Sequence, residues 1–126
     1  MRPEDQLQLT VVKFLQLSGL TFTATANGAF LQGDARQRAI RGARMKAHGV
    51  SNGVPDILIF TDTQQPGNYC HGLAIELKSG KNKPTDSQLE WHYKLRKCGW
   101  RVEVLRTFDE VVAVIKECYP NSRCAA

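Results

Sequence analysis

Apolar positions recur along the chain with a helical spacing in some segments and a strand spacing in others. Residues 3–17 have the helical spacing, because apolar residues three and four positions apart follow a proline and two acids; they are Leu7, Val11, Phe14 and Leu15. Glu4 stands three positions before Leu7, so its side chain is predicted on the buried side of this helix.

Four runs have the composition of β-strands; they are residues 20–26, 56–61, 71–78 and 100–106. In the third run, alternation places Leu73, Ile75 and Leu77 on one face, and the opposite face carries Ala74, Glu76 and Lys78. An Asn27-Gly28 turn follows the first run. A Pro-Gly loop joins the second and third runs, which are therefore expected to pair as a hairpin.

Three further segments favour helices. Residues 34–47 are weakly apolar, and we expect this helix to lie on the surface with its arginines outward. Thr85 with Gln88 and Thr107 with Glu110 have the spacing of capping boxes, so each pair is predicted to begin a helix. The order of elements predicts one α/β domain over residues 1–126, with a mixed sheet flanked by helices.

Composition fits such a domain. Of the 126 residues, 42% are hydrophobic and 23% are charged, which excludes disordered, collagenous and coiled-coil chains. No apolar run is long enough to cross a membrane, and the N-terminus lacks the apolar centre of a signal peptide. The four cysteines form no C-x-x-C pair, so we expect free thiols in a reducing cytoplasm, and a bridge between Cys118 and Cys124 is not favoured.

The net charge of +5 favours a polyanionic partner, although solubility alone also accounts for it. The distribution of charge is more informative, since one segment holds five basic residues and no acid; they are Arg36, Arg38, Arg41, Arg44 and Lys46. Lys81 and Lys83 lie in a later loop. We interpret these groups as contacts to DNA phosphates, against the alternative of a solvated face.

Two carboxylates and a lysine are expected to meet at one point of the sheet. Asp56 follows Pro55 at the start of a strand, and Glu76 and Lys78 share a face of the next strand. Paired carboxylates are ligands for Mg²⁺ or Mn²⁺, and an adjacent lysine can position a water or neutralise a phosphate. The alternative is a strand cap beside a solvated Glu–Lys pair, because the E-x-K tripeptide is common.

Other residues admit two interpretations. Gln88 can serve as a helix cap, as a neighbour of the metal, or as both. His92 is interpreted as a packed, hydrogen-bonded histidine rather than a catalyst. Trp91, Tyr93 and Trp100 can stack on unpaired bases, but aromatic residues in a small domain are more often part of the core or an interface.

These motifs resemble the PD-(D/E)XK nucleases, and their longer pattern is similar to the VRR-NUC branch. The pattern comprises Glu4, Asn27, Gly53-Val54-Pro55-Asp56, Ile75-Glu76-Leu77-Lys78, and Thr85-x-x-Gln88-x-x-Trp91 leading to Gly99. The resemblance implies a restriction-endonuclease-like αβββαβ core. It also implies metal ligation by Asp56, Glu76, the Leu77 carbonyl and Glu4. Catalysis is implied for Lys78 together with Asp56, Glu76 and Gln88, with Gln88 and Glu4 supporting the site.

The resemblance therefore implies a metal-dependent DNA endonuclease that uses Mg²⁺ or Mn²⁺. Its similarity to small bacterial and phage members suggests a bacterial or phage-infected cytoplasm, branched DNA such as four-way (Holliday) junctions as substrate, and a homodimer. Interface candidates are Phe22, Phe30 and Leu31. The alternatives are a nuclease acting on flaps or linear DNA, a non-catalytic nucleic-acid-binding module with the same fold, and a structural protein.

Overall fold

The computed structural model describes residues 2–25 and 33–123. Four helices and four strands are present in this part of the chain; in order they are α1 (Pro3–Gln16), β1 (Phe22–Ala24), α2 (Ala35–Ala47), β2 (Ile57–Ile59), β3 (Leu73–Leu77), α3 (Asp86–Lys97), β4 (Arg101–Leu105) and α4 (Phe108–Cys118). The order confirms the predicted α/β class. The Asn27-Gly28 turn lies outside the described residues.

The strands form one mixed sheet in the order β1-β2-β3-β4. β1 pairs antiparallel with β2, and β2 pairs antiparallel with β3, which confirms the predicted hairpin. β3 and β4 are parallel, and α3 makes the crossover between them. β2 is shorter than the predicted strand 56–61, because its partner β3 begins at Leu73, opposite Ile59.

Helices cover both faces of the sheet. α1 and α4 supply Val11, Leu15, Val111 and Ile115 to the core, which also contains the apolar face of β3. α3 lies on the other face, where its buried His92 reaches Glu76. All five residues of β3 are consequently buried, including one acid. In the described part of the chain, no helix is both long enough and apolar enough to cross a membrane.

Side-chain caps fix where the helices begin. Asp34 and Gln37 form a capping box at α2, and Thr85 and Gln88 form the predicted one at α3. The prediction for the last helix is only half correct. Thr107 accepts a hydrogen bond from the Glu110 amide, but the Glu110 carboxylate accepts from the Arg106 amide instead of closing the box.

Gly53 allows close contact between the loop before β2 and the first turn of α3. Its φ is +90°, and an added Cβ would lie 2.6 Å from both the carbonyl carbon and the oxygen of Ser87. Only glycine allows this approach. The contact fixes the segment that leads into Asp56 against the helix that carries Gln88.

Candidate active site between β2, β3 and α3

Asp56 is held by hydrogen bonds from two neighbouring strands. The Thr25 hydroxyl donates to the Pro55 carbonyl at 2.8 Å, and the Thr25 amide donates to the Asp56 carbonyl at 2.9 Å. On the other side, the Leu77 amide donates to Asp56 Oδ2 at 2.7 Å. The Asp56 carboxylate therefore lies against β3, as expected from the predicted hairpin pairing.

Both carboxylate oxygens of Glu76 contact α3. Gln88 Nε2 donates to Glu76 Oε2 at 3.2 Å, and His92 Nε2 lies 3.4 Å from Glu76 Oε1. Gln88 meanwhile accepts from the Thr85 amide through Oε1, so one side chain caps the helix and holds the acid. Glu76 and His92 are 1% and 2% exposed, respectively, which leaves little freedom in this arrangement.

The two acids interact, and a hydrogen bond with Glu76 favours the ionised form of Asp56 while the Asp56 charge disfavours that of Glu76. Burial raises the pKa of Asp56. Burial and the Asp56 charge together raise the pKa of Glu76 to about 9. The ammonium of Lys78, a residue only 9% exposed, opposes both shifts and favours the ionised pair. Burial, followed by the nearby charges of Arg96 and Lys78, lowers the pKa of His92 and keeps that ring neutral.

This donor set fits a hard divalent cation. Two carboxylates that repel each other in a partly desolvated pocket gain a counter-charge from Mg²⁺ or Mn²⁺. The Leu77 carbonyl shares their side of β3, because the N–H and C=O of one strand residue face the same neighbour and the Leu77 N–H faces Asp56. Within residues 2–25 and 33–123, no three histidine, cysteine or acidic side chains lie close enough to enclose an ion.

Glu4 lies beside this pair as a neighbour. Its charge contributes to the raised pKa of both Asp56 and Glu76. Glu4 Oε1 accepts hydrogen bonds from the Ser79 amide at 3.1 Å and from the Ser79 hydroxyl at 3.3 Å. These hydrogen bonds attach α1 to the loop that follows Lys78. Glu4 lies on the buried side of α1, as its spacing from Leu7 predicted.

The predicted DNA-binding residues occupy two regions. α2 has no buried residue and exposes most of its basic side chains, as expected of a surface helix. Lys81 and Lys83 lie exposed in the loop after β3. Arg106 fixes that loop by donating to the carbonyls of Gly80 at 2.9 Å and Asn82 at 2.7 Å.

Sequence reasoning missed two contributors to this region. His92 is packed as predicted, but it also contacts Glu76, and its position four residues after Gln88 is the signal that places both side chains on one helix face. Arg106 had no signal, since a single arginine after a strand is common. Of the proposed interface residues, Phe22 packs against the core, while Phe30 and Leu31 lie outside the described residues.

Comparisons with known proteins identify the family and the fold. The sequence model of the VRR-NUC domain family matches residues 2–109. A solved structure described as a VRR_NUC domain protein superposes with a TM-score of 0.71 at 24% sequence identity, covering 95% of this chain and 90% of that one. No curated protein matches the sequence.

Proposed function

The chain belongs to the VRR-NUC family of nucleases, and on this premise we propose that it is a metal-dependent endonuclease that hydrolyses phosphodiester bonds in DNA. The observation that supports the proposal most is the pairing of half-buried Asp56 with buried Glu76, with Lys78 beside them. Burial disfavours the ionised forms of these two acids. A bound cation would provide the opposite charge for the acids, and a phosphate would provide it for Lys78.

Mg²⁺ or Mn²⁺ would be held by the carboxylates of Asp56 and Glu76 and by the Leu77 carbonyl. When bound, such an ion supplies Lewis-acid chemistry, polarising a phosphoryl oxygen and lowering the pKa of a water. Gln88 and His92 contribute by fixing the two oxygens of Glu76 from α3, so the direction of that ligand is set before substrate arrives.

Lys78 is the proposed catalytic residue of the chain. Its side chain is almost fully buried, and its charge acts on both acids. From this position the ammonium would orient the attacking water and stabilise the charge that develops on the phosphate. An ammonium that is already in place before the reaction requires no reorganisation as that charge appears.

DNA binding is assigned to the exposed cations around this site. The basic side chains of α2, together with Lys81 and Lys83, contact phosphates and position the DNA without reading its sequence. Arg106 and Glu4 support the second group by fixing the loop between β3 and α3 at Ser79, Gly80 and Asn82.

Branched DNA, such as a four-way junction, is the proposed substrate, and a homodimer is the proposed assembly. A dimer is supported by the number of sites, because the described part of one chain provides one candidate site, at Asp56 and Glu76. Symmetric cutting of two strands needs two such sites, and a two-fold dimer presents them together.

The substrate and the assembly are tested together. Purified protein is incubated with labelled linear, flap and four-way DNA in Mg²⁺, Mn²⁺ or EDTA, and its mass in solution is measured by light scattering. The proposal predicts fastest cleavage of the four-way DNA, no cleavage in EDTA, and a mass about twice 14.1 kDa. Equal cleavage of linear DNA would refute the substrate, and a monomeric mass would refute the dimer.

A further inference from the structure

A groove runs between α2 and the first turn of α3. Its volume is about 820 Å³, and Gln88 forms part of its wall. The same Gln88 side chain donates to Glu76, so the end of the groove at Gln88 adjoins the site. A smaller hollow of about 370 Å³ shares Lys46, Asn52 and Ser87 with it and continues along α3 to Trp91 and Lys94.

The groove carries two cations available to a ligand. Arg38 and Lys46 line it from one face of α2, since they stand eight residues, or about two turns, apart. Both are exposed, and neither forms an ion pair in the part of the chain that the structure describes. Glu90 lines the smaller hollow, but its charge is paired with Lys94 at 3.2 Å.

The wall opposite α2 is fixed in place. Gly53 brings the loop into contact with the backbone of Ser87, and Asn52 lines the groove beside it. Asp56 follows Gly53 by three residues. The contact therefore sets the position of the groove wall and of the first acid at the same time.

We propose that this groove holds an unpaired strand of the DNA substrate, with phosphates along Arg38 and Lys46 and a base against Trp91. The assignment rests on the proposed nuclease function and adds that a few nucleotides at the branch point of the DNA are unpaired when bound. Single-strand sites combine cations that follow the backbone with an aromatic ring on which a base stacks. The volume lies within the roughly 300–1,000 Å³ range of pockets for nucleotide-sized ligands.

The indole of Trp91 is suited to this role. It is half-buried at the wall of the smaller hollow, and the Lys94 ammonium lies 5.5 Å from the centre of its ring. The Lys94 side chain that neutralises Glu90 therefore also contacts the ring on which a base would stack.

The test is fluorescence anisotropy of a short labelled oligothymidine, without divalent cations so that no cleavage occurs. Arg38→Ala/Lys46→Ala should bind about tenfold more weakly, and its plot of log K against log salt should be shallower by about 1.4, or about 0.7 per lost phosphate contact. The control Lys13→Ala/Lys116→Ala removes the same charge from exposed positions on α1 and α4. It should bind within about twofold of the unmodified protein.

A second readout is tryptophan emission. Oligothymidine should quench the emission of the unmodified protein, and Trp91→Phe, which leaves only Trp100, should abolish the quench. Equal binding by the two double variants, or competition by blunt duplex as strong as that by single strand, would overturn the assignment. Binding in the groove without cleavage of any DNA would support the groove and contradict the nuclease function, so the two failures are distinguishable.

Discussion

Glu76 is the residue whose surroundings matter most at the site, because both of its oxygens are contacted from α3. A carboxylate held at two points presents its remaining lone pairs in one direction. The Gln88 side chain also caps the start of α3. The His92 ring, in contrast, makes its polar contact in the described residues with Glu76. A substitution at His92 therefore tests the contact from α3 to Glu76 without also removing a helix cap.

We predict that His92→Asn weakens Mn²⁺ binding by about 10–100-fold, the usual cost of removing a partner of a metal ligand. Isothermal titration with Mn²⁺ measures the affinity directly. DNA binding without metal should not change, since His92 is buried. His71→Asn, at an exposed position, is the control, and an equal loss in both variants would contradict a positioning role for His92.

Lys78 makes a different prediction, because its proposed role is to supply charge in the transition state. Lys78→Met should lower the cleavage rate by roughly 10²–10³-fold. Metal affinity should stay the same or rise, since a repelling charge has been removed. Lys13→Met, at an exposed position on α1, is the matched control. A loss confined to DNA affinity would make Lys78 only a phosphate contact.

The raised pKa of Glu76 makes the stability of the metal-free protein depend on pH. Between the ordinary value of 4.5 and about 9, the folded protein binds more protons at this group than the unfolded chain does. Stability is therefore highest below that window and falls as pH rises through it. Glu76→Gln removes the contribution of this group to the pH dependence.

In EDTA, Glu76→Gln should raise the melting temperature at pH 8 by several degrees and change it little at pH 4.5. One kcal/mol corresponds to about 4 °C for a domain of this size. Scanning calorimetry at the two pH values measures the difference. A variant that is less stable than the unmodified protein at pH 8 would show that the acid is not destabilised by its surroundings.

At the scale of elements, the loop before β2 and the start of α3 form one unit. Gly53 and Gly49 have the same φ of +90°, but only Gly53 has backbone in the space of a Cβ. Their alanine variants therefore separate the conformational cost from the cost of the contact.

We expect Gly49→Ala to lose about 1 kcal/mol and Gly53→Ala to lose about 2–3 kcal/mol more, measured by urea unfolding. Gly53→Ala should also weaken Mn²⁺ binding, because Asp56 and Gln88 are positioned by the contact it disrupts. Equal destabilisation by the two variants would contradict this prediction, because it would show that the loop can move away from α3 with no loss of stability.

Local sequence signals were sufficient for most elements. The capping box at α3, the alternation in β3 and the hairpin pairing each depend on neighbouring residues, and each is confirmed. The errors come from contacts between elements. β2 is cut short by the start of its partner, and the Glu110 carboxylate is taken by the Arg106 amide, neither of which spacing can show.

At the scale of the whole molecule, the sheet separates two layers with different tasks. α1 and α4 pack on the apolar face and complete the core, while α3 covers the face that carries Glu76. At the other end of β3, Arg101 is paired with Glu103 at 3.0 Å and Glu117 at 3.3 Å. Arg38 and Lys46 remain without acidic partners in the described residues, beside the site.

The proximity of Asp56, Glu76 and Lys78 was predictable, because strand alternation and hairpin pairing bring these residues together. The groove was not predictable, since it exists only where α2 and α3 meet across the Gly53 loop. Sequence identified α2 as basic but could not show which arginines face α3. That distinction requires the relative placement of two helices that are about 40 residues apart in the chain.

The most direct test of the central claim is the rate at which Asp56→Asn cleaves a mixture of labelled linear, flap and four-way DNA in Mn²⁺. We predict a loss of at least about 10³-fold, because several kcal/mol of charge stabilisation depend on this ligand. DNA binding in EDTA should be unchanged or tighter, and Asp62→Asn, an exposed acid after β2, should retain the rate. Full activity of Asp56→Asn, or cleavage by the unmodified protein in EDTA, would contradict the assignment of the active site.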